Sequence, residues 1–339
     1  MKISTTSFSL ELREPLLALL WRQWSALGVA GHVAGGGRAL VDPEALVLAS
    51  TVFARHDVRL FDEMLDWLRS NGTWINVMRL AHLQREFELG DRTVLGAVAQ
   101  YLAQDSSNLK WKSLAKAGEP AIEPRPLFPH LPVPGYADET FRHWGWLRAP
   151  IEHRGLSRPP RPNQPATFLL KLRALFGRQS RAEVLAWLLT HDSGHPAQIA
   201  RQTGYFRGSV QNVLNELEVS GHVYSTRQGR EKLFAIRHDQ WRFLLTWDSS
   251  VAAAFPRWLP WPVLFGLIRG VHDLVDQPEF AGRSAHLQSM ELNRVLSPLL
   301  ARLATEGYVS ALAGGPDDTG AAIAQVVHEV RSLIADLGN

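Results

Sequence analysis

The stretch between residues 180 and 237 constrains the fold most, because its apolar spacing changes from helical to β-type over a short distance. Apolar residues that recur every three or four positions predict three consecutive helices. The first covers Arg181–Thr190, the second runs from Pro196 to the tight turn Thr203–Gly204, and the third covers Arg207–Val219. The residues expected to be buried are Val184, Leu185, Leu188, Leu189, Ile199, Ala200, Val210, Val213, Leu214 and Leu217.

A hairpin is expected directly after the third helix. Gly221 stands where a left-handed residue ends a helix. Two short β-type runs follow, His222–Thr226 and Lys232–Arg237, and the turn between them is Arg227-Gln228-Gly229-Arg230. Glycine is the residue that adopts positive φ most easily in such a turn. The sequence therefore predicts three helices and a β-hairpin in one module.

This order of elements resembles the winged helix-turn-helix of the MarR- and ArsR-like transcriptional regulators. The matching residues are Ala197, Ala200, Thr203, Gly204, Val210, Leu214, Leu217, Gly221 and Val223, followed by the hairpin. The match covers residues 180–237 and no more of the chain. The resemblance implies a DNA-binding fold whose third helix enters the major groove while the hairpin, or wing, contacts the backbone.

The residue types on the outward face of the third helix favour DNA as the ligand. Amide and hydroxyl side chains there suit hydrogen bonds to base edges and phosphates, and cations in the hairpin suit adjacent phosphates. If the same fold served protein contacts, we would expect an apolar or acidic third helix. The candidate DNA-binding residues are Tyr205, Arg207, Ser209, Gln211, Asn212, Asn215, Arg227, Gln228, Arg230 and Lys232.

The charge distribution agrees with this assignment. Residues 166–245 carry 11 Lys and Arg against 6 Asp and Glu, whereas the whole chain has a net charge of only +3. Residues 246–339 carry 6 basic residues against 10 acidic ones. A localised basic module in a nearly neutral protein is typical of phosphate-backbone binding.

The predicted fold class is mainly α, a multi-domain helical protein that contains a winged helix-turn-helix with a short β-hairpin wing. We expect an N-terminal helical domain over 1–115 and a connector over 116–165, since 11 of the chain's 20 prolines lie between residues 120 and 165. The DNA-binding domain would cover 166–245. A C-terminal helical domain, 246–339, would serve dimerisation or docking.

Other local signals refine these domains. Asp42 before Pro43 and Asp91 before a helix over Arg92–Leu102 are expected N-caps. The aromatic sequence FRHWGWL in the connector is expected to pack on a neighbouring domain. Residues 296–309 repeat the spacing of the third helix, so a degenerate second winged helix is one interpretation, and an ordinary amphipathic helix is the one we favour. A last helix is expected from Gly320 to Leu337.

Signals of catalysis or metal binding are weak. The chain has no cysteine, and His191, Asp192 and His195 fall in the loop between the first two helices, where cap and turn roles are expected. No familiar catalytic or phosphate-loop motif is present, so we expect no enzymatic activity, cofactor or metal. Four tryptophans after the hairpin are compatible with a small-molecule pocket or with an aromatic core between domains. They are Trp241, Trp247, Trp258 and Trp261.

These features predict a sequence-specific regulator of transcription that binds double-stranded DNA, as a homodimeric repressor. The alternative is an antitoxin or defence-system component that binds a toxin or another defence protein and represses its own operon. No apolar run is long enough for a membrane span. The first residues lack the apolar core of a secretory signal, so a cytoplasmic location is expected.

Overall fold

A computed structural model describes residues 5–31, 37–120, 123–247 and 254–305. Within these ranges the protein is mainly helical and has two small two-stranded sheets. This agrees with the predicted mainly α fold class. The α-helices are α1 (Thr5–Leu27), α2 (Pro43–Phe53), α3 (Val58–Asn71), α4 (Val77–Phe87), α5 (Arg92–Leu102), α6 (Lys112–Ala117), α7 (Glu139–His143), α8 (Phe168–Phe176), α9 (Ser180–Leu188), α10 (Pro196–Thr203), α11 (Arg207–Val219), α12 (Trp261–Val275) and α13 (Ala285–Thr305). The strands are β1 (Arg125–Pro126), β2 (Trp146–Leu147), β3 (Tyr224–Gln228) and β4 (Glu231–Ala235). None of the described helices has the length and apolar character needed to cross a membrane.

Helix starts follow the capping signals in the sequence. The side chain of Asp42 accepts a hydrogen bond from the Ala45 amide, and Pro43 is the first helical residue of α2. Asp91 accepts hydrogen bonds from the amides of Thr93 and Val94 at 2.9 and 3.1 Å. The first amides of a helix have no partner within the helix, so these carboxylates fix where α2 and α5 begin. Both predicted caps, and the predicted bounds of α5, are confirmed.

The first hydrophobic core unites the N-terminal helices with the C-terminal pair α12 and α13. Three aromatic residues of the proline-rich stretch, Phe141, Trp144 and Trp146, are buried in the same core. The aromatic sequence, expected to pack on a neighbouring domain, packs in the core that the N-terminal helices share with α12 and α13. Regular structure in the rest of the stretch is short, since β1 and β2 pair in parallel over only two residues each and α7 has five residues.

The second hydrophobic core belongs to α8 to α11 and the hairpin of β3 and β4. We call residues 180–237 the helix–hairpin unit. Its three helices lie where the sequence predicts them, and α11 has the predicted bounds Arg207–Val219. The loop between α9 and α10 joins the hairpin through two hydrogen bonds of 2.9 Å that Gly194 and Phe234 exchange.

The chain returns to the first core after the helix–hairpin unit. Trp261 Nε1 at the start of α12 donates a 2.6 Å hydrogen bond to the carbonyl of Leu40, and Ala39 and Arg257 form a parallel bridge. Helix α13 contains Pro298 and is described as far as Thr305. The later part of the predicted repeat of 296–309 and the predicted last helix lie outside the described residues.

Five fully or nearly fully buried charged residues connect the two cores, and we call them the buried ion cluster: Asp42, Glu44, Arg79, Arg173 and Glu183. The guanidinium of Arg79 contacts Asp42 at 2.5 Å and Glu44 at 2.6 Å. Arg173 contacts Glu44 at 2.7 Å and Glu183 at 2.5 Å. The cluster therefore joins α2 and α4 of the first core to α8 and α9 of the second.

Backbone carbonyls complete the coordination of both arginines. Arg79 Nε donates to the Thr203 carbonyl at 2.7 Å, and Arg173 Nη1 donates to the Trp74 carbonyl at 2.7 Å. Buried charges are tolerated only when their hydrogen-bonding groups are matched in this way. The end of α10 is thereby held by α4, which determines where the helix–hairpin unit sits.

The two buried glutamates respond oppositely to their surroundings. Burial by itself would raise the pKa of Glu44, but Arg173 and Arg79 outweigh it and lower that pKa to about 2. For Glu183, burial outweighs the attraction of Arg173 and Arg79, so its pKa is raised. Only one carboxylate oxygen of Glu183 is hydrogen-bonded, and its Oε2 has no partner among the described residues. The folded protein therefore favours the charged form of Glu44 and disfavours that of Glu183.

We predict that Glu44→Gln lowers the free energy of unfolding at pH 7 by about 3–5 kcal/mol, the usual cost of breaking a buried ion pair, and that Glu183→Gln costs less than half as much. The Glu44 contribution is present above its ordinary pKa of 4.5 and is lost as the pH falls towards about 2. Denaturant unfolding between pH 3 and about 8, followed by tryptophan fluorescence, measures both variants. An equal loss of stability for the two substitutions at pH 7 would contradict the conclusion that the fold favours the charged form of Glu44 and disfavours that of Glu183.

Candidate nucleic-acid interface

Helix α11 presents a polar outward face. Arg207, Ser209, Asn212 and Asn215 are exposed, whereas the apolar residues of the opposite face are packed in the second core. Gln211 is half-buried, and its Nε2 donates a 3.0 Å hydrogen bond to Asn215 Oδ1 one turn later. The structure thus brings the five predicted residues of this helix onto one surface.

The hairpin differs from the prediction in its bounds. Strand β3 extends to Gln228 and pairs with Glu231, so the turn consists of Gly229 and Arg230 alone. Gly229 has a φ of +63°, which suits the first position of a two-residue type II′ turn. The predicted four-residue turn was therefore wrong, because Arg227 and Gln228 belong to the strand ladder. Arg230 forms the tip of the hairpin.

Two cations face each other across the hairpin. Arg227 pairs with Lys232 in the strand register, and directly opposed side chains lie on the same face of a sheet. Lys232 Nζ is 2.6 Å from Glu218 Oε2 on α11. The hydrogen bonds from Lys232 and Ser225 lower the pKa of Glu218. Lys232 is therefore engaged inside the unit, while Arg227 and Arg230 are exposed and have no ion pair within the described residues.

Tyr205 lies apart from the other candidates. Its hydroxyl accepts a 3.0 Å hydrogen bond from Asn76 Nδ2 in the first core. Burial, followed by the nearby charge of Glu183, raises the pKa of this hydroxyl above its ordinary value. The side chain of Tyr205 thus borders the buried ion cluster.

The helix–hairpin unit meets the first core through α4, a contact that sequence reasoning missed. Phe206, the residue before α11, lies with its ring 5.1 Å from that of His82. A Cβ added to Gly204 would come within 2.6 Å of Leu83 Cδ2. No local sequence pattern predicts this contact. Arg79 nevertheless stands among apolar residues of α4 that are buried, and a charged residue in that position signals a charged partner.

The histidines of the loop between α9 and α10 have structural roles. His191 stacks on Trp187 with ring centroids 4.0 Å apart, and burial lowers its pKa. His195 Nδ1 accepts a hydrogen bond from the Ala197 amide at 3.2 Å and caps α10. Within the described residues, no group of three potential ligands could hold a metal ion.

The tryptophans that follow the hairpin are packed in the interior. Trp241 and Trp258 belong to the second core, Trp247 packs against it, and Trp261 belongs to the first. Three cavities in the described part of the chain are bordered by other residues. Between the two interpretations of these tryptophans, the structure favours the aromatic core.

Comparisons with known proteins do not assign the chain to a family. No family model, no curated protein and no solved structure matches it. Proposals about its function therefore depend on the residues of the chain itself.

We predict that Gly204→Ala lowers the free energy of unfolding by about 1–3 kcal/mol, because residue 204 has a φ of +71° and its Cβ would collide with Leu83. Gly208→Ala is the matched control in α11, where an added Cβ meets nothing within 4 Å. Alanine there should leave stability unchanged or raise it by up to about 1 kcal/mol. Thermal unfolding of both variants measures the difference, and equal effects would contradict the contact between α4 and the turn.

Proposed function

We propose that the helix–hairpin unit is a winged helix-turn-helix that binds double-stranded DNA, and that the protein regulates transcription. One observation carries the proposal: the polar face of α11 and the exposed arginines of the hairpin belong to one compact unit. In this proposal α11 is the recognition helix and the hairpin is the wing.

The outward face of α11 supports contact with base edges. Asn212 and Asn215 are exposed amides, and amides can hydrogen-bond adenine bidentately in the major groove. Arg207 is exposed at the first turn of the helix, where the helix dipole also favours a phosphate. Gly208 next to it has open space around its Cα, so a DNA backbone can approach closely.

The hairpin supports contact with the phosphate backbone. Opposed Arg227 and Lys232 repel each other, and Glu218 offsets only part of that repulsion. A nearby polyanion would offset the remaining repulsion between the two cations, and its binding would release counterions. Arg230 at the tip reaches furthest from the unit, which suits an adjacent phosphate or the minor groove.

We further propose that the protein acts as a homodimeric repressor in the cytoplasm. Two recognition helices would then enter successive major grooves, about 34–36 Å apart. Fluorescence anisotropy with the protein's own upstream DNA and with a scrambled duplex, each over a salt series, tests the whole proposal. Tight binding to the first duplex alone supports it. Weak binding to both at physiological salt would contradict it and direct attention to a protein partner such as a toxin.

We predict that Asn212→Ala weakens binding to the specific duplex by about 1–3 kcal/mol and leaves binding to the scrambled duplex unchanged. Gln211→Ala should act in the same direction, although it also removes the hydrogen bond to Asn215. Arg230→Ala should instead weaken both duplexes equally and reduce the salt slope by about 1. The same anisotropy titrations measure all three. If Asn212→Ala and Arg230→Ala both reduced binding equally on every sequence, the assignment of base-reading residues would be wrong.

We also predict that Glu218→Gln tightens binding to every duplex several-fold, because it releases Lys232 for the phosphate backbone. The matched control is Glu216→Gln, which removes the same charge from α11 but releases Arg181 of α9 instead. Titrations at several salt concentrations should give a steeper salt dependence for Glu218→Gln than for the control. An identical gain in both variants would mean that net charge alone, and not Lys232, accounts for the effect.

A further inference from the structure

A cavity of about 540 Å³ lies between the end of α1 and the segment 156–164. Its volume falls within the range of small-molecule sites, about 300–1,000 Å³. Ser25 and Gly28 line it on the side of α1, and Arg158 and Gln164 line it on the other side. The site is far in sequence from the proposed DNA-binding residues, and the inference does not depend on DNA binding.

The lining of the cavity is rich in positive charge. Arg59, Arg158 and Arg161 line it, and the described lining contains no acidic residue. Arg158 and Arg161 are exposed and form no ion pair with the described residues. Arg59 lies over the Trp21 ring at 5.5 Å from the ring centroid. Three guanidiniums at one concave site are a strong recognition element for phosphate.

The neighbouring acids of α3 are directed to other groups. Asp62 contacts Arg148 at 2.6 Å, and Glu63 contacts Arg154 at 3.3 Å. Asp66 accepts hydrogen bonds from the amides of residues 155 and 157, each at 3.2 Å. These contacts fix the segment 148–157 on α3 and leave Arg158 and Arg161 without an acidic partner among the described residues.

The wall of the cavity is built by a close backbone contact. The Arg158 amide donates a 2.9 Å hydrogen bond to the Gly28 carbonyl. Gly28 has a φ of +109°, and a Cβ there would lie 2.3 Å from the Arg158 carbonyl oxygen. Only glycine permits this approach. Ser25 Oγ is buried without a hydrogen-bond partner among the described residues, and it adds a polar group to the lining.

A second cavity provides an internal comparison. It measures about 280 Å³ and is lined by Asp62, Arg148 and Glu152 together with prolines and apolar residues. Its only lining arginine is already paired with Asp62. Charges of both signs line this second cavity, so it has no preference for an anion. The larger cavity differs in having three arginines and no acid among its described residues.

We propose that the larger cavity binds a phosphorylated small molecule. The phosphate would take hydrogen bonds from Arg158 and Arg161, with Arg59 adding charge. A phosphate monoester fits better than a monocarboxylate because it offers three terminal oxygens and nearly two negative charges. Val29, Leu156 and Pro159 form an apolar part of the lining that suits a small organic group.

Isothermal titration calorimetry at constant ionic strength tests this proposal with three probes: inorganic pyrophosphate, adenosine monophosphate and adenosine. The double variant Arg158→Gln/Arg161→Gln removes two cavity charges. The matched control Lys116→Gln/Arg142→Gln removes two exposed charges from elsewhere on the surface.

We expect pyrophosphate and adenosine monophosphate to bind the wild-type protein saturably and to compete with each other, whereas adenosine does not bind. The cavity double variant should weaken binding of both phosphates at least tenfold, and the matched control should keep wild-type affinity within about twofold. Unchanged thermal unfolding shows that the variants are folded. If the double variant does not fold, Arg161→Gln alone takes its place and should still lose affinity several-fold.

Three results would overturn the proposal. The first is the absence of saturable binding of either phosphate probe to the wild-type protein. The second is equal weakening in the cavity variant and in the charge-matched control, which would indicate diffuse attraction by net charge. The third is binding of adenosine as tightly as its monophosphate, which would show that the phosphate is not what the site recognises.

Discussion

The position of the helix–hairpin unit depends on the buried ion cluster. Taking two arginines and three carboxylates out of water is costly, and the cost is recovered only in a geometry that satisfies nearly every donor and acceptor. Arg173 meets this condition with two glutamates and one backbone carbonyl. The same arginine lies on α8, at the start of the second core, and contacts Glu44 of the first. A small displacement between the two cores would therefore leave charged groups unpaired, which makes intermediate arrangements unfavourable.

This constraint affects the two ends of the candidate interface differently. The start of α11 follows a turn that Arg79 and Leu83 of α4 hold in place. The hairpin is fixed mainly by contacts within its own unit, through Phe234 and the pair of Lys232 and Glu218. A ligand that contacts both ends would meet a rigid helix start and a hairpin whose cations can change partners. That difference suits the proposed roles, in which α11 contacts the base edges and the hairpin contacts the DNA backbone.

The parts of the structure that the sequence predicts are those that local chemistry determines. Asp91 and the apolar spacing after it define α5, and the same kinds of signal define α11. The predicted hairpin bounds were wrong because the length of the turn depends on which residues of the two strands pair. The apolar pattern leaves that pairing ambiguous. The buried ion cluster was not predictable, since Glu44 and Glu183 are far apart in sequence. Its local signs are Arg173, a charged residue inside the apolar run FLLKLRALF, and Arg79 among the apolar residues of α4.

One segment connects the arginine-lined cavity with the buried ion cluster. Gln164 lines the cavity, and the chain then enters α8, which carries Arg173 into the cluster. A ligand alters a distant site only to the extent that it binds two arrangements of the protein unequally. Because the cluster disfavours intermediate positions, any such alternative arrangement must move α8 and the helix–hairpin unit together. A rearrangement at Arg173 would therefore couple the cavity to the proposed DNA-binding surface.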